Sequence, residues 1–197
     1  MSKRIAVVSQ KGGVGKTTVS VNLAVALAKA GQRTLLIDYD PQGGVGLSLA
    51  KGESALDGLV ELITQNRPVE QVLLQTKLEG LTLLPRGRLD PVDVSEFEQA
   101  LADPSVRQRL ISATDGFDFT IIDTPAGLGT ATRAALDFAN LLLVVTQADP
   151  LAMRSLGQVV RVAERVRSTS NPDLELLGFL LSMVDLRAEP SRQTAEA

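Results

Sequence analysis

The chain has 197 residues, a formal net charge of −3 and 44% hydrophobic residues, as expected for one folded globular domain. It contains no cysteine and no histidine, which excludes disulfides, thiolate chemistry and imidazole catalysis or metal ligation. Any catalysis must use carboxylates, lysine, hydroxyls, backbone amides and a hard cation such as Mg²⁺. No apolar run reaches the ~20 residues that span a bilayer, and no signal peptide precedes the first strand, so we expect a cytoplasmic protein.

Apolar runs alternate with amphipathic segments along the whole chain. In chain order, the pattern predicts a strand at 4–9, a helix at 19–30, a strand at 33–38, helices at 55–64 and 69–75, a strand at 81–84, helices at 92–102 and 104–113, a strand at 117–122, a helix at 131–139, a strand at 141–146, a helix at 151–168 and a strand at 175–183. Residues 41–51 are glycine-rich and predict a mobile loop, and the polar residues 188–197 predict a loose tail. The alternation predicts a single α/β domain over 1–197, with a doubly wound, mostly parallel sheet and helices on both faces.

The stretch SQKGGVGKTT, residues 9–18, lies between the first strand and the first helix. A glycine-rich turn in this position presents backbone N–H groups to an anion, and the helix dipole favours negative charge there. Lys16 would reach the terminal phosphates of a nucleotide, and the Thr17 hydroxyl would sit on Mg²⁺. The usual pattern has a glycine where this chain has Gln10, and Lys11 adds a second cation, so the loop is a deviant one. The candidate nucleotide-binding residues are Lys11, Gly12, Gly13, Val14, Gly15, Lys16, Thr17 and Thr18.

Aspartates follow two predicted strands at the edge of the sheet where this loop lies. Asp123 follows an apolar run, an arrangement that places a carboxylate beside bound Mg²⁺. Asp38 and Asp40 are two residues apart, so in an extended chain they point the same way. Asp40 is the better candidate to orient an attacking water, although Asp38 could share or take that role. The candidate metal-site residues are Thr17, Asp123 and Asp38, while each aspartate alone could equally be a helix cap or a turn former.

Three motifs together carry a family resemblance: KGGVGKTT at 11–18, DYDPQG at 38–43 and IDTPAG at 122–127. They resemble the nucleotide motifs of the ParA/MinD family, deviant Walker P-loop ATPases that position plasmids, chromosomes, division sites and other cargo. The resemblance extends from residue 3 to about residue 187. It implies ATP and Mg²⁺ as cofactors, with Thr17 and Asp123 serving the metal. It also implies an ATP-sandwich homodimer in which Lys11 reaches the partner's nucleotide phosphates, and Lys11, Lys16 and Asp40 as catalytic residues, with Asp40 activating water.

The predicted helix at 151–168 carries a basic stripe, since Arg154, Gln158, Arg161 and Arg165 recur at helical spacing. One interpretation is a solvated helix face. The other is a non-specific, salt-sensitive contact for DNA phosphates, with Arg187 as a neighbour by resemblance to a family arginine after the last strand.

The leading hypothesis is a ParA-like positioning ATPase, associated with the nucleoid when ATP is bound and stimulated by a ParB-like or cargo-adaptor protein. The DPQG segment is ParA-like, whereas the third motif is nearer to MinD and flagellar-placement members, which act at the membrane. The polar tail has almost no apolar face, which counts against membrane binding. A metabolic ligase on the same core is a third possibility, although no separate substrate domain is visible. Family members usually continue with another strand and several helices, which this sequence lacks.

Overall fold

The computed structural model of the chain describes residues 2–49 and 56–196, without the side chains of residues 47–49, 150–154, 190, 193, 195 and 196. The strands are β1 Lys3–Val8, β2 Thr34–Asp38, β3 Leu74–Gln75, β4 Leu81–Leu84, β5 Phe119–Asp123, β6 Leu141–Gln147 and β7 Glu175–Ser182. The helices are α1 Lys16–Lys29, α2 Gly44–Leu49, α3 Leu59–Thr64, α4 Val94–Leu101, α5 Pro104–Ala113, α6 Thr130–Phe138, α7 Pro150–Thr169 and α8 Glu189–Glu196. Short 3-10 turns occupy Val69–Gln71 and Pro91–Asp93.

The seven strands found in the described residues form one sheet in the order β3-β4-β2-β5-β1-β6-β7. All neighbouring strands run parallel except β3 and β4, which are antiparallel. The register places both Val7 of β1 and Asp38 of β2 beside Asp123 of β5. The carboxyl ends of three central strands therefore meet at one edge, where open α/β sheets bind their ligands. The predicted doubly wound, mostly parallel α/β fold is confirmed.

Successive side chains of the central strands enter two separate cores. Ala6 and Val8 lie in the cluster that contains Leu136 of α6, whereas Ile5 and Val7 lie in the cluster that contains Ala24 of α1. Both faces of the sheet are therefore covered by helices, which is why the strands read as continuous apolar runs. This burial fixes the strand ends, and with them the side chains that follow the strands.

The predicted mobile loop at 41–51 is wrong over its described part, because α2 occupies Gly44–Leu49. The buried backbone N–H of Val45 donates to Oδ2 of Asp38 at 3.1 Å. The side chain of Val45 is fully buried in the α1-side core. A carboxylate that accepts a first-turn N–H and a buried valine together offset the low helix propensity of the glycines. Residues 50 and 51 lie outside the described part of the chain.

The predicted helix at 69–75 is also wrong. The segment makes one 3-10 turn and then enters the sheet, where Leu74 pairs with Leu83 and Gln75 with Thr82. The Gln75 side chain accepts a hydrogen bond from the Thr82 hydroxyl at 3.2 Å. Pairing with a strand further along the chain overrode the local helical pattern, a tertiary effect that sequence spacing does not report.

The chain after β7 is more regular than predicted, since Glu189–Glu196 forms α8 where a loose tail was expected. The Ser191 hydroxyl accepts a hydrogen bond from the backbone N–H of Asp185 at 3.0 Å. Other predicted boundaries also move by a few residues. α1 begins at Lys16, three residues before the prediction, and α3 begins at Leu59, while the predicted start at residue 55 lies outside the described residues.

The outer edge of the sheet at β7 carries an apolar surface. Leu176, Leu177 and Phe179 are about half exposed, and Met183 and Leu186 beyond the strand are more exposed still. Within the described residues, no helix is both long enough and apolar enough to cross a membrane.

Candidate nucleotide-binding site

The conformation of the phosphate loop depends on two glycines, on the burial of Val14 and on a hydrogen bond to the Val14 carbonyl. Gly13 and Gly15 have φ values of 76° and 84°, in the left-handed region that glycine adopts without strain. Gly15 is the N-cap of α1, so the helix begins directly at Lys16. Val14 between them is buried, and its carbonyl accepts a 2.7 Å hydrogen bond from the Ser182 hydroxyl at the end of β7. The strand–turn–helix arrangement that the sequence predicted is therefore present.

Three side chains of α1 converge on Asp123. The Thr17 hydroxyl donates to Oδ2 at 2.7 Å, and the Ser20 hydroxyl donates to Oδ1 at 2.7 Å. The Lys16 ammonium lies 3.5 Å from Oδ1 and also donates to the carbonyl of Thr124. Lys16 and Asp123 are both buried. The first turn of α1 and the carboxyl end of β5 thus form one polar cluster beneath the loop.

Burial and charge act against each other at Asp123. Burial raises the pKa of its carboxyl above the ordinary value, and the charge of Lys16 and the hydroxyls of Thr17 and Ser20 offset this only in part. The remaining donor set consists of hard oxygens, a hydroxyl and a carboxylate, which are the ligands that Mg²⁺ prefers. Thr17 and Asp123 therefore fit a magnesium ion chemically, and their oxygens already lie close together.

Asp38 lies beside Asp123 in the register of the sheet and is also buried. Burial is the main reason that the pKa of Asp38 rises to about 7, and the nearby charges of Asp123 and Asp40 add to it. The carboxylate accepts backbone N–H groups from Asp40 at 3.1 Å and Val45 at 3.1 Å. Asp38 therefore holds the chain between β2 and α2, and its assignment to the metal stays a prediction.

Asp40 lies just beyond the end of β2 and is partly buried. Its Oδ1 accepts the backbone N–H of Gln42 at 2.9 Å, the contact of a turn-forming aspartate. Its charge is near enough to raise the pKa of both Asp38 and Asp123. Asp40 thus belongs to the same acidic group at the sheet edge, while its role in orienting water stays a prediction.

The two residues that make the loop deviant both contact the region of α7. The Lys11 ammonium lies 3.6 Å from Oδ2 of Asp149, which immediately precedes the helix. The Gln10 amide donates to Oε1 of Gln158, two and a half turns further along. Lys11 is exposed, so its side chain is placed at the surface of the site and away from the Lys16–Asp123 cluster.

The predicted basic stripe is only partly described. Arg161 and Arg165 are exposed on α7, whereas the side chain of Arg154 lies outside the described part. A surface groove of about 740 Å³ between α6 and α7 is lined by Arg161 and Arg165 together with Arg133, which no sequence pattern singles out, and with the acidic Asp137. Arg187 is not one of the described residues that line this groove. Its guanidinium pairs with Asp185 at 3.0 Å.

Several contacts of the site were not foreseen. Ser20 lies four residues after Lys16, a spacing that puts both on one helix face and could have identified it. The Thr124 carbonyl, Gln158 and Asp149 carry no local signal, because only the fold brings them to the loop.

The comparisons with known proteins agree with this geometry. Residues 2–176 match a protein family described as an AAA domain. The chain is 37% identical over 194 residues to the chromosome partitioning protein ParA of Myxococcus xanthus, covering 98% of this chain and 69% of that protein. It superposes with a TM-score of 0.86 and 35% identity on cobyrinic acid a,c-diamide synthase of Mycobacterium smegmatis with bound ADP and magnesium, covering 100% of this chain and 80% of that one. The cell division ATPase MinD of Pyrococcus furiosus gives a TM-score of 0.81 at 28% identity, with 100% and 81% covered.

Proposed function

We propose that this chain, which belongs to the ParA/MinD family of P-loop ATPases, is a ParA-like positioning switch that binds Mg-ATP, dimerises around it and hydrolyses it slowly. The observation that carries the proposal is the convergence of Lys16 and Thr17 on Asp123 beneath the loop. A buried cation for phosphate and two hard oxygens for a metal lie together at the N-terminus of α1.

Each residue of the loop has a defined task in this proposal. The backbone N–H groups of residues 12–17 receive the phosphates, and Lys16 turns from Asp123 and Thr124 to the terminal phosphates. Thr17 and Asp123 would hold Mg²⁺, whose charge would stabilise the negative charge that develops on the phosphate oxygens. Asp123 and Ser20 are buried, so apart from the turn of Lys16 the cluster reorganises little.

Asp40 orients the attacking water. The chain has no histidine, so a carboxylate is the side chain available for this task. Asp38 has a pKa of about 7 and accepts two backbone N–H groups, so its role is to stabilise the segment between β2 and α2. This division separates the two aspartates, although they are only two residues apart.

Lys11 acts across a dimer interface on the partner's nucleotide. It is exposed and held by an ion pair with Asp149, which a competing phosphate can replace. Because the lysine has little to bind across the interface without phosphate, dimerisation depends on ATP.

In this proposal the ATP-bound protein binds DNA. Arg133, Arg161 and Arg165 line one groove between α6 and α7, and clustered arginines bind phosphates without sequence preference. Such binding places the ATP-bound protein on the nucleoid, and a ParB-like or cargo-adaptor protein would release it by stimulating hydrolysis.

The pair of variants Lys16→Ala and Asp40→Ala tests the switch, using size-exclusion chromatography with ADP and with ATP and an assay of phosphate release. We expect Lys16→Ala to abolish ATP-induced dimerisation. Asp40→Ala should keep the dimer and block turnover. Normal hydrolysis by Asp40→Ala would show that Asp40 does not orient the attacking water. A dimer that forms without nucleotide would contradict the ATP-dependent switch.

Two other functions have an observation in their favour. Similarity to a cell division ATPase MinD favours a regulator at the membrane, and similarity to a protein named as a diamide synthase favours a ligase. Co-sedimentation with anionic vesicles in ATP would support the first. The ParA similarity and the arginine-lined groove lead us to place DNA before both.

A further inference from the structure

Gln10, which stands where the usual phosphate-loop pattern has its first glycine, contacts α7 through its side chain. The Gln10 amide donates to Oε1 of Gln158, 148 residues further along the chain. The Gln10 Oε1 is buried and has no hydrogen-bond partner among the described residues. The contact with Gln158 is therefore what orients this amide, and either assignment of the two amide groups joins the same pair of side chains.

The next loop residue contacts the same element. Lys11 lies 3.6 Å from Asp149, directly before α7, while Gln158 lies about 13 Å further along at 1.5 Å per residue. Successive residues of the loop thus bracket the first half of this helix. On its other face Val159 and Val166 are buried in the main core, so α7 is a firm support.

We propose that Gln158 is a positioning residue of the ATPase, holding Gln10 and with it the start of the phosphate loop in the conformation that accepts phosphate. A typical phosphate loop has glycine at position 10. Here the position carries a glutamine side chain, which hydrogen-bonds to Gln158 on α7. Because the contact is exposed, removing it changes the loop more than the fold.

The test is a double-mutant cycle on Gln10→Ala and Gln158→Ala, with binding of a fluorescent ATP analogue and Mg²⁺ as the readout. The net contribution of one hydrogen bond predicts about two- to tenfold weaker binding for each single variant. The double variant should be no weaker than the singles, because both remove the same hydrogen bond. In steady-state turnover KM should rise with kcat nearly unchanged.

Two further variants separate positioning from general destabilisation. Gln158→Glu keeps an acceptor for the Gln10 amide and should restore ATP binding. Gln108→Ala removes an exposed glutamine from α5 and should bind ATP as the original chain does. All variants should unfold at the same temperature. Unchanged ATP binding by Gln158→Ala, or a double variant whose loss is the product of the two singles, would overturn the proposal.

A second consequence rests on the proposed function, because Gln158 shares its helical stripe with Arg161 and Arg165. The coupling between ATP and DNA that the proposed function requires should then pass through the contact between Gln10 and Gln158. Retention on non-specific DNA with ATP, relative to ADP, should fall toward equality in Gln158→Ala although both arginines remain. An unchanged ratio would overturn this coupling. No DNA retention by the original chain would overturn the proposed DNA function, and the ATP-binding cycle then decides the positioning role alone.

Discussion

The Thr17 hydroxyl donates a 2.7 Å hydrogen bond to Oδ2 of Asp123, joining the first turn of α1 to the end of β5. The other oxygen of the same carboxylate, Oδ1, accepts a hydrogen bond from the Ser20 hydroxyl and forms an ion pair with the Lys16 ammonium. One buried carboxylate thus organises both the phosphate-binding cation and the proposed metal ligands.

Asp123→Asn should therefore lose magnesium-dependent ATP turnover. Removing the charge opposite the metal should lower turnover by about a hundredfold or more, because metal charge stabilisation is worth several kcal/mol. Phosphate release at increasing Mg²⁺ concentration measures the effect. Asp118→Asn is the matched control just before β5, since its ion pair with Arg33 at 2.8 Å is exposed to solvent and lies far from the loop. Equal turnover by both variants would contradict the role of Asp123.

The pKa of Asp38 predicts how stability depends on pH. Burial raises this pKa to about 7 from an ordinary value of 3.8. Between those values the folded state holds a proton that the unfolded chain has released, so the free energy of unfolding falls as pH rises from 4 to 7. The slope from this one group is at most about 1.4 kcal/mol per pH unit.

Urea unfolding from pH 4.5 to 8 in the presence of EDTA measures this dependence. Asp38→Asn cannot titrate, so its stability should change less over the same range, and above pH 7 the two curves should run parallel. Identical slopes below pH 7 would mean that Asp38 is ionised in the folded protein.

Two phenylalanines should differ sharply in their contribution to stability. Phe138 is buried and its ring stacks on Tyr39 with centroids 6.4 Å apart, whereas Phe179 on β7 is 47% exposed. Phe138→Ala should lower the free energy of unfolding by about 3–5 kcal/mol because it leaves a cavity in the core. Phe179→Ala should cost less than about 1 kcal/mol. Urea denaturation compares them, and a large cost at Phe179 would show that the β7 edge is covered in solution.

The basic groove predicts a salt-dependent effect on DNA retention. Arg161→Glu with Arg165→Glu should weaken retention about tenfold or more at low salt. The salt slope should fall by about 2, because each of the two arginines would no longer neutralise a DNA phosphate. Lys29→Glu with Lys77→Glu makes the same charge change at exposed sites outside the groove. If both pairs weaken retention equally, net charge and not the groove is responsible.

Much of the fold followed from local patterns. The strand at 81–84 and the helix at 104–113 match the structure at both ends, and Pro104 follows Asp103, whose carboxylate caps the helix. Errors fell where a partner seven residues away, beyond the reach of helical spacing, decided the conformation. Gln75 pairs with Thr82 of β4, and α2 forms in the predicted loop, where Asp38 accepts the backbone N–H of Val45.

The sequence by itself determined the strand–loop–helix order at residues 3–29, the aspartates at the strand ends and hence the class of nucleotide site, because glycine placement, apolar runs and side-chain chemistry are local properties. Only the tertiary structure decided that Ser20 and Thr124 complete the cluster at Asp123, that Arg133 joins Arg161 and Arg165, and that Gln10 meets Gln158. The physical reason is that these residues lie far apart in the chain, and only the packing of helices on a parallel sheet brings them to the same site.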